Sequence, residues 1–64
     1  MDGLNITATI SARTDGKYNL YIGWNTRVYD INTLEDAIGY ARGMARDFSI
    51  AKVKLPDGSI IKVR

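Results

Sequence analysis

Along the N-terminal stretch, Leu4, Ile6, Ala8, Ile10 and Ala12 alternate strictly with Asn5, Thr7, Thr9, Ser11 and Arg13. Successive side chains of a strand point to opposite sides, so this pattern reads as a strand with one apolar and one polar face. Something must cover the apolar side. A second strand, from Lys17 to about Gly23, repeats the pattern, with Tyr18, Leu20 and Ile22 set against Lys17, Asn19, Tyr21 and Gly23.

The connection Thr14-Asp15-Gly16 decides whether the two apolar rows meet. A two-residue Asp-Gly turn would pair Ile10 with Tyr21 and put the rows on opposite sides of the sheet. A three-residue loop, a type I turn followed by Gly16 in the left-handed region, pairs Ile10 with Leu20 and Ala8 with Ile22. The second arrangement is expected. The same chemistry recurs at Pro56-Asp57-Gly58, between Ala51, Val53, Leu55 and Ile61, Val63, and predicts the pairs Val53 with Ile61 and Ala51 with Val63.

Between the hairpins lie a short extended piece, Arg27 to Ile31, and one helix. Asn32 and Thr33 are both N-cap residue types, and Asn32-x-x-Glu35 and Thr33-x-x-Asp36 each have capping-box spacing. From Leu34 the apolar positions Leu34, Ala37, Ile38, Ala41, Ala45 and Phe48 fall in one helical stripe, and the helix is expected to end near Asp47. Glu35 and Asp36 in the first turn and Arg42 and Arg46 near the last suit the helix dipole. The economical assembly is a two-layer α+β fold, ββ(β)αββ, with this helix on one face of a four- or five-stranded antiparallel sheet, in one domain over residues 1–64. Ala37, Ala41 and Ala45 let the helix lie close. Nothing in the sequence is left to cover the other sheet face, which is expected to meet solvent or a partner.

The 64 residues include no cysteine and no histidine. Disulfides, thiolate metal sites, cysteine nucleophiles and histidine-dependent catalysis are therefore excluded. A domain this short buries only about 60% of the surface of its unfolded chain, so its core is thin and dimerisation is a natural supplement. Nine Lys+Arg against seven Asp+Glu leave a charge of +2. No run of eighteen apolar residues is present and Met1-Asp2-Gly3 lacks the layout of a secretory signal, so a cytoplasmic protein without a membrane segment is expected.

Asp15-Gly16-Lys17-Tyr18, Thr33 with Ala37-Ile38, Ala41-Arg42 and Ala45, and Asp57-Gly58 together resemble a family of short bacterial domains of unknown function, over roughly residues 10 to 62. The resemblance implies a fold and no activity. Lys17-Tyr18-Asn19-Leu20-Tyr21 through Ala37 is similar in outline to the arm-type DNA-binding domain of phage integrases, in which a three-stranded sheet precedes a helix. That likeness implies DNA binding, with the strands after the helix as an addition.

Three features bear on function. The outward strand positions hold Arg13, Lys17, Lys52, Lys54, Lys62 and Arg64, while the acids fall in the terminus, the turns and the helix region, Asp30 among the last. In the expected register Lys52 faces Lys62, an unfavourable pair unless an anion lies between them. With Tyr21 available for stacking, such a face could follow a phosphate backbone; the plainer reading is that lysines on exposed strands guard against aggregation. Gly39 and Gly43 fall opposite the apolar stripe of the helix, where each costs about 1 kcal/mol relative to alanine. Tyr40 and Met44 flank them, which suits close approach by another chain; the plainer reading is a tolerated glycine. Trp24 follows a strand at a bend, where it is expected to close the core, the other reading being an exposed anchor beside Arg27 and Tyr29.

Asp30, Glu35 and Asp36 sit where capping accounts for them, and no phosphate loop or metal spacing is present, so no catalytic role, cofactor or small-molecule substrate is expected. The leading expectation is a non-catalytic binding domain that engages another protein, or a second copy as a homodimer, through Gly39, Tyr40, Gly43 and Met44. The alternative is a nucleic-acid-binding module that uses Lys17, Tyr21, Lys52, Lys54, Lys62 and Arg64.

Overall fold

The computed structural model describes residues 5–63; Leu4 and Arg64 lie outside them. In chain order the elements are β1 (Ile6–Ala12), β2 (Tyr18–Ile22), β3 (Thr26–Ile31), α1 (Leu34–Phe48), β4 (Ile50–Lys54) and β5 (Ile60–Lys62). The strands form one sheet in the order β3-β2-β1-β4-β5, with α1 packed on one face.

Both glycine-closed turns bring the apolar rows together. Ile10 pairs with Leu20 and Val53 with Ile61, and the Val63 N–H donates to the Ala51 carbonyl at 3.1 Å. The turns are near copies. The Gly16 N–H donates to the Arg13 carbonyl and the Gly58 N–H to the Leu55 carbonyl, with φ of 87° and 94° at the two glycines. In each, the aspartate accepts the N–H two residues on: Asp15 from Lys17 at 3.1 Å, Asp57 from Ser59 at 2.9 Å. The Ser59 hydroxyl also donates to Asp57, and these two bonds hold that carboxyl below the usual carboxylate range.

The sheet is antiparallel at every joint except β1 with β4, which pair in parallel and so correct the wholly antiparallel expectation. Two hairpin reversals make β3 run the same way as β1. Helix α1 then carries the chain back along the sheet by about 22 Å at 1.5 Å per residue, a little more than the length of a strand. Strand β4 therefore starts where β3 started and must lie parallel to β1. Thr33 caps the helix, its hydroxyl accepting the Asp36 N–H at 3.0 Å, and Ser49 ends it in the left-handed region at φ 57°.

The core is Ala8, Ile10, Leu20, Ile22, Ile31, Ala37, Ala41, Ala45, Ile50 and Val53. Two strand irregularities fill it. The β1–β4 register shifts between Ile6 and Thr7, so Ile6 faces Ile50 while Thr7 faces Lys52. Ala51 becomes the extra residue, and Ile50 and Val53, three apart, both reach the helix side. On β3 the register shifts opposite Asn19, and Asp30, at φ 63°, is the bulged residue. It allows Val28 and Ile31, also three apart, to face inward. A β-bulge resets side-chain parity in this way, at the cost of one unpaired residue.

This register makes two identical truncations unequal. Ile50→Ala is expected to destabilise the protein by about 2–5 kcal/mol. Ile60→Ala, on the open face, should change stability by no more than about 0.5 kcal/mol. Equilibrium urea denaturation measures both.

Candidate nucleic-acid interface

On the face away from α1, the cross-strand pairs lay polar and charged side chains in rows. Arg27 faces Tyr21, Tyr21 faces Thr9, Thr9 faces Lys54 and Lys54 faces Ile60, so one row crosses all five strands. The next row holds Thr7 facing Lys52 and Lys52 facing Lys62. Arg27, Lys52, Lys54 and Lys62 are all exposed. Side chains directly opposite on neighbouring strands have Cβ atoms about 5 Å apart, so Lys52 and Lys62 stand side by side on this face, and among the described residues neither forms an ion pair with a carboxylate.

The acids gather elsewhere. Asp15 and Asp57 lie in the two glycine turns and Asp30 near the end of β3, all at the end of the sheet where β1 and β4 finish. Asp30, which falls within the extended piece expected from Arg27 to Ile31, is the single carboxylate within a described strand, and its bulge explains how it is accommodated there. Its carboxylate pairs with the Arg13 guanidinium, which also holds Asp15 at 2.8 Å. The hydrogen bond that Arg13 donates to the Asp30 carboxylate is the main reason its pKa is raised. Arg13 stays charged, but its charge is balanced by two carboxylates, so it is not a free cation. Asn19 completes this cluster, accepting from Arg13 and from the Asp30 N–H, both at 3.4 Å.

Lys17 also lies at this acidic end, in the β1–β2 turn, and so apart from Lys52 and Lys62. Of the residues expected on the basic face, the structure brings together Tyr21, Lys52, Lys54 and Lys62, while Arg64 lies outside the described residues. Arg27 and Tyr29 join them, although the sequence reading considered those two only beside Trp24. Tyr29 is 53% exposed and meets Tyr21 edge to face, ring centres 6.3 Å apart. The Tyr21 hydroxyl accepts from the Asn19 amide at 3.2 Å, which ties the ring pair to the Arg13 cluster.

Trp24 departs from the core role expected for it. Gly23, Trp24 and Asn25 form the β2–β3 hairpin loop, because Ile22 pairs with Thr26, and the loop tip leaves Trp24 91% exposed. Continuing the ladder past the Thr9–Tyr21 pair sets this loop at the level of Thr7 and Lys52, the basic end of the sheet.

The helix back is less uniform than its sequence suggests. A Cβ at Gly39 or Gly43 would meet nothing within 4 Å, and Tyr40 is 51% exposed. Met44 instead turns toward the sheet and packs against the core. The four residues therefore do not form one exposed patch. Among the described residues no group of three or more acidic, histidine or cysteine side chains is placed to hold a metal ion, and no helix is long and apolar enough to cross a membrane.

No family model matches the chain, and neither the curated proteins nor the solved structures supply a match.

Three surface substitutions test this geometry. Gly39→Ala and Gly43→Ala should each raise stability by about 1 kcal/mol, since both add helix propensity without a clash. Lys62→Glu, which sets an opposite charge against Lys52, should raise it by about 0.2–1 kcal/mol at low salt. Thermal denaturation of each variant checks the expected change.

Proposed function

We propose that this is a non-catalytic binding domain whose ligand is nucleic acid, held on the outer face of the sheet. The observation that carries this reading is the direct pairing of Lys52 with Lys62, on a face that also holds Lys54 and, across β1, Arg27 paired with Tyr21, whose ring meets Tyr29. Aggregation control explains a lysine on β5, an edge strand. It does not explain Lys52 and Lys54 on β4, which has a neighbour on both sides. A polyanion can bridge these side-by-side cations, and phosphate contacts of this kind give binding that weakens steeply with salt.

Four cations engaged on phosphates give a slope of log K against log salt of about −2.8 for a single strand and about −3.6 for a duplex. Fluorescence anisotropy with labelled DNA and RNA over a salt series is expected to yield those slopes, and Lys52→Glu with Lys62→Glu should abolish binding. Failure to retain either nucleic acid at low salt would remove this reading.

A second reading, supported by the open space at Gly39 and Gly43 beside exposed Tyr40, is contact with a protein or a second copy through the helix back. Sedimentation of the wild type against Gly43→Glu tests the self-association form: a dimer that the variant loses supports it, and a monomer in both cases excludes it.

A further inference from the structure

Charge alone does not say which form of nucleic acid the sheet face takes; its width and its aromatic residues do. Building on the nucleic-acid reading above, we infer that the ligand is single-stranded, with bases stacked on Tyr29 and Tyr21 and the backbone crossing toward Lys54, Lys52 and Lys62.

Five strands about 4.8 Å apart span roughly 19 Å. A major groove about 12 Å wide admits a helix or a two-stranded ribbon, not a face of this breadth. A duplex could therefore touch the surface only through its phosphates, and its paired bases would offer the tyrosines no ring face. An unpaired strand has no such limit, because each base can turn down onto a side chain while its phosphate stays over the cations.

The placement suits that division. Tyr29 and Tyr21 lie on β3 and β2, on one half of the sheet, and their rings are fixed by mutual contact and by the Asn19 hydrogen bond. Lys52, Lys54 and Lys62 lie on β4 and β5, on the other half, with β1 between them. Strand β1 contributes Thr7 and Thr9 to the outer face, short side chains that leave the path between the halves open. The Arg13–Asp30 pair closes the acidic end, so Tyr29 is not beside an uncompensated carboxylate.

Anisotropy with a labelled oligothymidylate of about 12 nucleotides, within the range of site sizes covered by single-strand binders, against the same strand annealed to its complement, tests the inference. The single strand should bind at least about tenfold more tightly than the duplex. Tyr29→Ala should weaken single-strand binding by about tenfold and leave duplex binding and the salt slope unchanged. Tyr29→Leu, which keeps apolar bulk but has no ring face, should weaken it similarly and serves if the alanine variant does not fold by circular dichroism. Equal affinity for both forms, or wild-type single-strand affinity in Tyr29→Leu, overturns the inference while leaving the nucleic-acid reading intact. Loss of both forms on Lys52→Glu with Lys62→Glu is expected; no binding of either form by the wild type overturns the nucleic-acid reading itself.

Discussion

One helix can cover only one side of a sheet, and the chemistry of this fold follows from which side α1 takes. Every core residue lies on α1 or on strand positions facing it. Ala37, Ala41 and Ala45 bring the helix axis close enough for Ile10, Leu20, Ile50 and Val53 to lose essentially all contact with water. Hydrophobic burial then fixes side-chain parity across the strands, because a one-residue slip would exchange the greasy row for the charged one. The cationic face is thus a consequence of the core.

That dependence explains why the bulges matter beyond packing. Without the extra residue at Ala51, Ile50 and Val53 could not both face the helix, and either the core would lose a large side chain or Lys52 and Lys54 would change faces. The Asp30 bulge does the same for Val28 and Ile31, and places an acid where the Arg13 guanidinium can hold it. Asp15, Asp30 and Asp57 thus lie at the end of the sheet where β1 and β4 finish, together with Arg13 and Lys17, while Lys52 and Lys62 face each other further back along β4 and β5.

Much of this was legible in the sequence because period-two alternation and glycine-closed turns act locally. The pairing of Ile10 with Leu20, that of Lys52 with Lys62, the Thr33 cap and the helix stripe all follow from residues within about a dozen positions of each other. What escaped was non-local or irregular. The parallel β1–β4 pairing depends on how the helix returns the chain, which strand patterns taken singly do not encode. Reading Ala51, Val53 and Leu55 as one regular row hid Ile50, although the three-residue spacing of Ile50 and Val53 was itself the sign of a bulge. The spacing of Val28 and Ile31 carried the same sign. Trp24 was expected inside because tryptophan is usually buried, but a loop held between paired Ile22 and Thr26 leaves no room to fold back. Arg27 and Tyr29 escape a sequence reading of the basic face because their side is set by the bulged β2–β3 register, which the pattern of residues 27–31 alone does not reveal.

The most direct test of the account is which side of the molecule responds to ligand. Titration of a single-stranded oligonucleotide into isotope-labelled protein, followed residue by residue through backbone amide shifts, is expected to move Thr9, Tyr21, Lys52, Lys54 and Lys62 and leave Gly39 and Gly43 in place. Shifts centred on Gly39, Tyr40 and Gly43 with a silent sheet face would contradict it.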